Sequence, residues 1–237
     1  MVKLSNRLLA VASFVTDGNV LADVGTDHGY IPIYLLQEKR IPKAIAMDIN
    51  AGPLQRAKEH IAMYGLKDYI ETRLSDGVAA LTPGEADTIL VAGMGGGLVM
   101  HILEEGKEVC HEAKELVLQP QSELERVRAY LWSNGYVILE ENMVLEDEKF
   151  YPMMHVQYQN VCDTESAENL LFCRYGKHLL EQKHAVLKEY LEREEKLYAG
   201  ILENLTQTAV SEKTKERIGE VEETLRFNRE ALAYFNA

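Results

Sequence analysis

From residue 20 onward, short apolar runs alternate with stretches whose apolar residues recur at helical spacing. Residues 20–24, 44–48, 69–74, 88–92 and 116–118 read as five strands. Residues 30–40, 53–64, 98–111 and 122–133 read as helices, the last with Glu125 as a capping-box partner of Ser122. Such alternation predicts a parallel sheet covered by helices, because parallel neighbours need long crossovers. Ahead of it, Lys3 and Arg7 precede an apolar run over 8–15 that resembles a short signal peptide. Leu4, Leu8, Val11, Ala12 and Val15 nevertheless fall at helical spacing, and Asp17-Gly18-Asn19 turns into the first strand, so a helix is expected.

The alternation breaks after residue 135. Residues 136–144 and 153–158 flank an acidic turn, Glu146-Asp147-Glu148-Lys149, and predict an antiparallel pair that completes a seven-stranded sheet. Strand signal then vanishes. Leu180, His184, Leu187, Leu191, Tyr198, Ile201 and Leu205 form one helical series, and Ile218, Val221, Leu225, Asn228, Leu232 and Phe235 another, with a turn over 206–211. Two long helices around a short turn predict an antiparallel coiled-coil hairpin. The expected division is an α/β domain over 1–163 and a helical domain over 164–237.

Composition narrows the partners. With 25 basic and 38 acidic side chains the net charge is −13, so no general positive field collects a polyanion. The charge is uneven: residues 1–173 hold 14 basic and 26 acidic side chains, residues 174–237 hold 11 and 12. The second segment is where a polyanion is least repelled. Cys110, Cys162 and Cys173 form neither a disulfide framework nor a C-x-x-C pair. No run approaches the roughly 18 apolar residues of a membrane span, and the seven histidines show no ligand spacing, so no metal is assigned. A cytoplasmic protein with reduced thiols is expected.

The chemistry gathers after the strands. Asp23-Val24-Gly25-Thr26-Asp27-His28-Gly29-Tyr30 joins the first strand to the first crossover helix, where a glycine lets the backbone turn against a ligand. The dinucleotide fingerprint G-x-G-x-x-G fails, since Asp27 and Tyr30 stand where its later glycines belong, and an NAD-dependent oxidoreductase is disfavoured. An acid aimed at a pyrophosphate is repulsive, whereas a ligand with a cationic end and no phosphate suits the loop. S-adenosylmethionine is such a ligand. Asp23 is placed to accept from its ammonium, Asp48 from the ribose hydroxyls and Asp76 from the adenine amino group. Singly, each acid is an ordinary cap or turn residue. Three at successive strand ends mark the edge where open α/β sheets bind ligands. Gly93-Met94-Gly95-Gly96-Gly97 leaves backbone bare beside the reactive end, and Gln119-Pro120-Gln121 adds two amides there.

These residues carry a resemblance. The runs Leu4-Ser5-Asn6-Arg7-Leu8, Ala10-Val11-Ala12-Ser13, 23–32, Met47-Asp48-Ile49-Asn50, Ala92-Gly93-Met94-Gly95-Gly96 and Leu118-Gln119-Pro120-Gln121, with the helical tail, resemble the bacterial TrmK family of tRNA (adenine-22-N1)-methyltransferases. The resemblance implies a Rossmann-like class I methyltransferase domain followed by a coiled-coil domain. It implies S-adenosylmethionine as cofactor and tRNA as partner. Asp23, Gly25, Asp48 and Asp76 carry over as cofactor contacts, and Thr26, Ile49, Gly77, Ala92 and Gly93 are candidates beside them. Asp27, His28, Tyr30 and the 93–96 loop, with Met94 and Gly95, carry over as the wall facing the target base. Candidate tRNA contacts are Lys3, Arg7, Gln119, Gln121, Arg174 and Lys177. A small-molecule methyltransferase on the same fold is the alternative, and a nucleotide-binding scaffold a more distant one.

Overall fold

The computed structural model describes residues 2–207 and 211–236. Strands β1 (Leu21–Val24), β2 (Ala44–Asp48), β3 (Ile70–Leu74), β4 (Thr88–Met94) and β5 (Glu115–Pro120) are parallel. The hairpin β6 (Tyr136–Glu146) and β7 (Lys149–Tyr158) closes the sheet antiparallel, giving the order β3-β2-β1-β4-β5-β7-β6. β1 and β5 are buried at every position, as parallel strands covered on both faces should be.

Alternate side chains build two cores. Leu21, Ala46, Leu90 and Val117 face α1 (Asn6–Ser13), α2 (Tyr30–Gln37) and α3 (Ala51–Met63). Ala22, Met47, Ile89 and Leu118 face α4 (Gly96–Glu105), α5 (Lys107–Glu112) and α6 (Leu124–Ser133). Below the first core, Glu115 accepts from Thr16, Thr88, Asn19 and His155. Burial alone would raise its carboxyl, but the hydrogen bonds from His155, Thr16 and Thr88 outweigh it and hold the group at about 2.

Three local expectations change. The helix predicted over 98–111 is two, broken at Gly106, where a Cβ would lie 2.1 Å from Val78 Cγ2 and 2.8 Å from the Ile102 carbonyl. Ser122 caps a helix other than the one predicted: its Oγ accepts from Gly96 N at 3.2 Å and Glu123 Oε2 from Gly97 N at 2.8 Å, so together they satisfy the start of α4. The acidic turn is tighter than expected, with only Asp147 and Glu148 between strands, at φ 48° and 61°, the backbone of a two-residue hairpin turn.

The tail opens with three short helices, α7 (Thr164–Glu168), α8 (Leu170–Tyr175) and α9 (Lys177–Glu181), before α10 (Ala185–Thr206) and α11 (Glu212–Asn236). Leu180 therefore belongs to α9, and His184 is the N-cap of α10 rather than part of its first turns. The predicted turn lies largely at 208–210, outside the described residues. α7 and α8 pack on α6, and Cys173 joins the same core as Trp132. A buried ion pair rivets this junction: Arg128 Nε lies 2.7 Å from Glu141 Oε1, both fully buried. Arg128 also donates to the Cys173 and Arg174 carbonyls, and Glu141 accepts from His178 N. α10 and α11 run antiparallel, with Asn228 donating to the Leu191 carbonyl and Arg229 paired with Glu195. Their base buries Leu187, Leu191, Phe227 and Ala231 against Met143 and Tyr175.

Candidate active site

The ends of β1, β2 and β3 place Asp23, Asp48 and Asp76 along one edge. Asp23 is 6% exposed, and its Oδ2 accepts from Thr26 Oγ1 at 2.6 Å. Burial chiefly pushes its carboxyl up to about 6; the Thr26 hydroxyl opposes the shift and the nearby Asp48 charge adds to it. Gly25 N and Thr26 N both donate to the Met47 carbonyl at 2.8 Å, pinning the loop to β2. Gly25 sits at φ +75°, and a Cβ there would lie 2.1 Å from Met94 Cε. The positive φ favours glycine there, while the Met94 tip is a flexible chain end that could shift to admit a Cβ.

Asp48 Oδ1 accepts from Asn50 N at 2.6 Å, and Ile49 beside it is 57% exposed. Ser75 N donates to the Asp48 carbonyl, joining the two strand ends, while Ser75 Oγ holds the turn through Gly77 O and Ala80 N. Asp76 and Gly77 open onto a cavity of about 600 Å³ bounded by His101 and Gly106. Asp23, Gly25, Thr26, Asp27, Tyr30, Ala92, Gly93 and Gln121 line another of about 380 Å³. Asp48 ends β2 and Ile49 follows it, between the strands that supply these two groups.

Asp27 is exposed at the mouth. Its Oδ1 lies 3.0 Å from Arg56 Nη2 and 3.4 Å from His28 Nε2. The His28 and Tyr30 rings stack at 5.1 Å, and His60 of α3 lies near-parallel to both, 5.0 and 5.4 Å away. Met94 reaches back over Gly25, so its tip meets the expected cofactor loop.

The expected tRNA contacts fare differently. Arg7 lines the smaller cavity, donates to Gln119 Oε1 at 2.9 Å and lies over the Tyr151 ring. Gln119 is fully buried, so its amide meets Arg7 rather than a macromolecule. Gln121 and Lys3 are exposed. Arg174 packs its guanidinium on Phe227 and pairs with Glu125, and Lys177 donates to Ser166 Oγ over the Phe172 ring; both tie tail helices together. Arg56, His60 and Tyr151 escape sequence reasoning. The one available signal is the four-residue spacing of Arg56 and His60 on a predicted helix.

Four carboxylates against two guanidinium groups make an edge that repels a pyrophosphate and favours a cationic nucleoside. The buried Asp23 and the bare backbone at Gly25 fit the charged amino-acid end of S-adenosylmethionine, and Asp48 fits its ribose. Among the described residues no group of His, Cys, Asp and Glu is placed to hold a metal ion, and no helix is long and apolar enough to cross a membrane.

A strand order with a reversed seventh strand and an acidic C-terminal edge defines a methyltransferase, and residues 4–154 match the family described as "Methyltransferase domain". The chain is 32% identical over 234 residues to the tRNA (adenine(22)-N(1))-methyltransferase of Bacillus subtilis (strain 168), covering 97% of each. It superposes on the crystal structure of the B. subtilis M1A22 tRNA methyltransferase TrmK with a TM-score of 0.85 at 32% identity, covering 98% of this chain and 100% of that one. The Streptococcus pneumoniae protein Sp1610, solved with S-adenosyl-L-methionine, gives 0.84 at 31%, covering 97% and 100%. TrmK of M. capricolum, solved with S-adenosyl-homocysteine, gives 0.81 at 26%, covering 98% of each. The chain belongs to the TrmK family, as the sequence motifs led us to expect.

Proposed function

We propose that this protein uses S-adenosylmethionine to methylate N1 of the adenine at position 22 of tRNA, in the cytoplasm. The observation that carries the reading is the row of carboxylates at the ends of β1, β2 and β3 around a glycine turn, in a chain similar over its length to a tRNA (adenine(22)-N(1))-methyltransferase. The cofactor supplies an electrophilic methyl group on a sulfonium. Asp23 would accept from the ammonium end, Asp48 from the ribose hydroxyls, and the Asp76-Gly77 turn would meet the adenine.

N1 of adenine has an in-plane lone pair, so attack on the methyl needs no prior deprotonation. The protein's task is alignment and a polar setting for the charge arriving on the base. Asp27 is suited to it: its carboxylate stands at the cavity mouth and can accept from the N6 amino group, favouring the cationic product. His28 and Tyr30 offer ring faces for the base, and residues 93–96, where β4 runs into α4, offer backbone. N1 lies on the pairing edge, so the base must be unpaired or flipped before reaction, at a cost of a few kcal/mol.

The test is incubation with labelled S-adenosylmethionine and unmodified tRNA, followed by digestion to nucleosides. Label in 1-methyladenosine supports the proposal. Label in another nucleoside, or none in tRNA alongside transfer to free adenosine, refutes it.

A further inference from the structure

We infer that Arg56 and His60 are positioning residues for methyl transfer: from one face of α3 they clamp the Asp27–His28 dipeptide at the mouth of the site. The inference rests on the reading above, in which Asp27 and His28 face the target base.

Arg56 and His60 are four residues apart, so both project from the same side of α3. Each grips a different part of the dipeptide. Arg56 Nη2 lies 3.0 Å from Asp27 Oδ1 and engages the side chain. His60 Nδ1 lies 3.2 Å from the His28 carbonyl oxygen and engages the backbone. A carbonyl only accepts, so the proton in that contact belongs to His60.

The grip acts on a segment with left-handed backbone. His28 has φ 65°, followed by Gly29 at φ 68°. A non-glycine residue in the left-handed region holds its place only when its surroundings over-determine it. The Nδ1–H of His60 and the stacking of its ring near both His28 and Tyr30 supply that determination. The Arg56–Asp27 pair is half-exposed or more on both sides, so it adds little to stability. What it does is aim: with Arg56 and His28 both on Oδ1, the second carboxylate oxygen is left for a donor in the cavity. An exocyclic amino group on a nucleobase is such a donor.

Single-turnover methyl transfer at saturating tRNA and S-adenosylmethionine tests the clamp with Arg56→Ala, Arg56→Lys, His60→Ala and His60→Asn. Lysine restores a one-contact ion pair, and the asparagine amide places a donor near the lost Nδ1–H. The alanine variants should slow the step about 10–100-fold, with affinities for tRNA and S-adenosylhomocysteine held within about threefold, and the conservative variants should recover most of the rate. Alanine variants as fast as wild type would overturn the inference. So would cofactor affinity falling in step with rate, or lysine and asparagine variants as slow as alanine. A wild-type protein that fails to methylate tRNA would instead remove the functional reading beneath it.

Discussion

Asp23 is the residue whose state decides how the edge meets a cation. Its folded carboxyl lies near 6 because it is buried, above the roughly 3.9 of an exposed aspartate. The sign follows: the protonated form is favoured in the free fold, so ionisation weakens the fold as pH rises through the interval from about 4 to 6. A bound ammonium reverses that preference and expels the proton. Affinity for S-adenosylhomocysteine, followed by calorimetry, should therefore be flat above pH 7 and fall towards about tenfold per unit below pH 6. Asp23→Asn should bind weakly with no such limb; a wild-type profile without the limb would exclude Asp23 as the ammonium's partner. Asp23, Asp48 and Asp76 were legible in the sequence because each lies at or just past the end of a predicted strand, and the parallel topology then brings those ends to a shared edge. The intramolecular partners of Arg7, Arg174 and Lys177 were not legible, for the opposite reason. The fate of a cation on a helix depends on long-range partners such as Gln119, Glu125 and Ser166, which no local pattern displays.

Among the elements, the strands and their mostly parallel arrangement followed from periodicity and the need for long crossovers, whereas their order came only with the structure, and the errors fell where one element completes another. Ser122 reads as a cap, but the N–H it satisfies belongs to α4. Gly106 lies within a helical pattern that breaks there, and Val78, on a distant loop, leaves no room for a side chain at that position. The junction between sheet and tail depends on another such pair. Arg128 and Glu141 lie on α6 and β6, and their remaining hydrogen bonds reach α8 and α9. Removing one partner strands a buried charge, so Arg128→Ala should cost about 3–5 kcal/mol in denaturant unfolding. Replacing both by apolar residues of similar volume should cost far less. Equal losses in the two variants would mean that packing, and not the unpaired charge, governs the junction.

At the scale of the molecule, a chain of net charge −13 must hold a polyanion. The tail is close to neutral, and its distal part is least committed to the fold, with Leu197 60% exposed. Removing all of 165–237 would strip Cys173 and Tyr175 from their cores, so the cleaner cut is at the far end of the hairpin. Excising residues 202–217 behind a short Gly–Ser turn should leave S-adenosylhomocysteine binding unchanged and weaken tRNA binding about tenfold or more, with the wild-type tRNA affinity itself falling steeply as salt rises. Parallel loss of both ligands would make the hairpin a brace rather than an arm.

The central claim concerns one atom of one base. Unmodified tRNA with adenine at position 22 and the same tRNA with guanine there should be compared under identical conditions with labelled S-adenosylmethionine. Transfer to the first, recovered as 1-methyladenosine, and none to the second is the expected result. Equal labelling of both transcripts, or a methyl group found elsewhere than N1, would contradict the account.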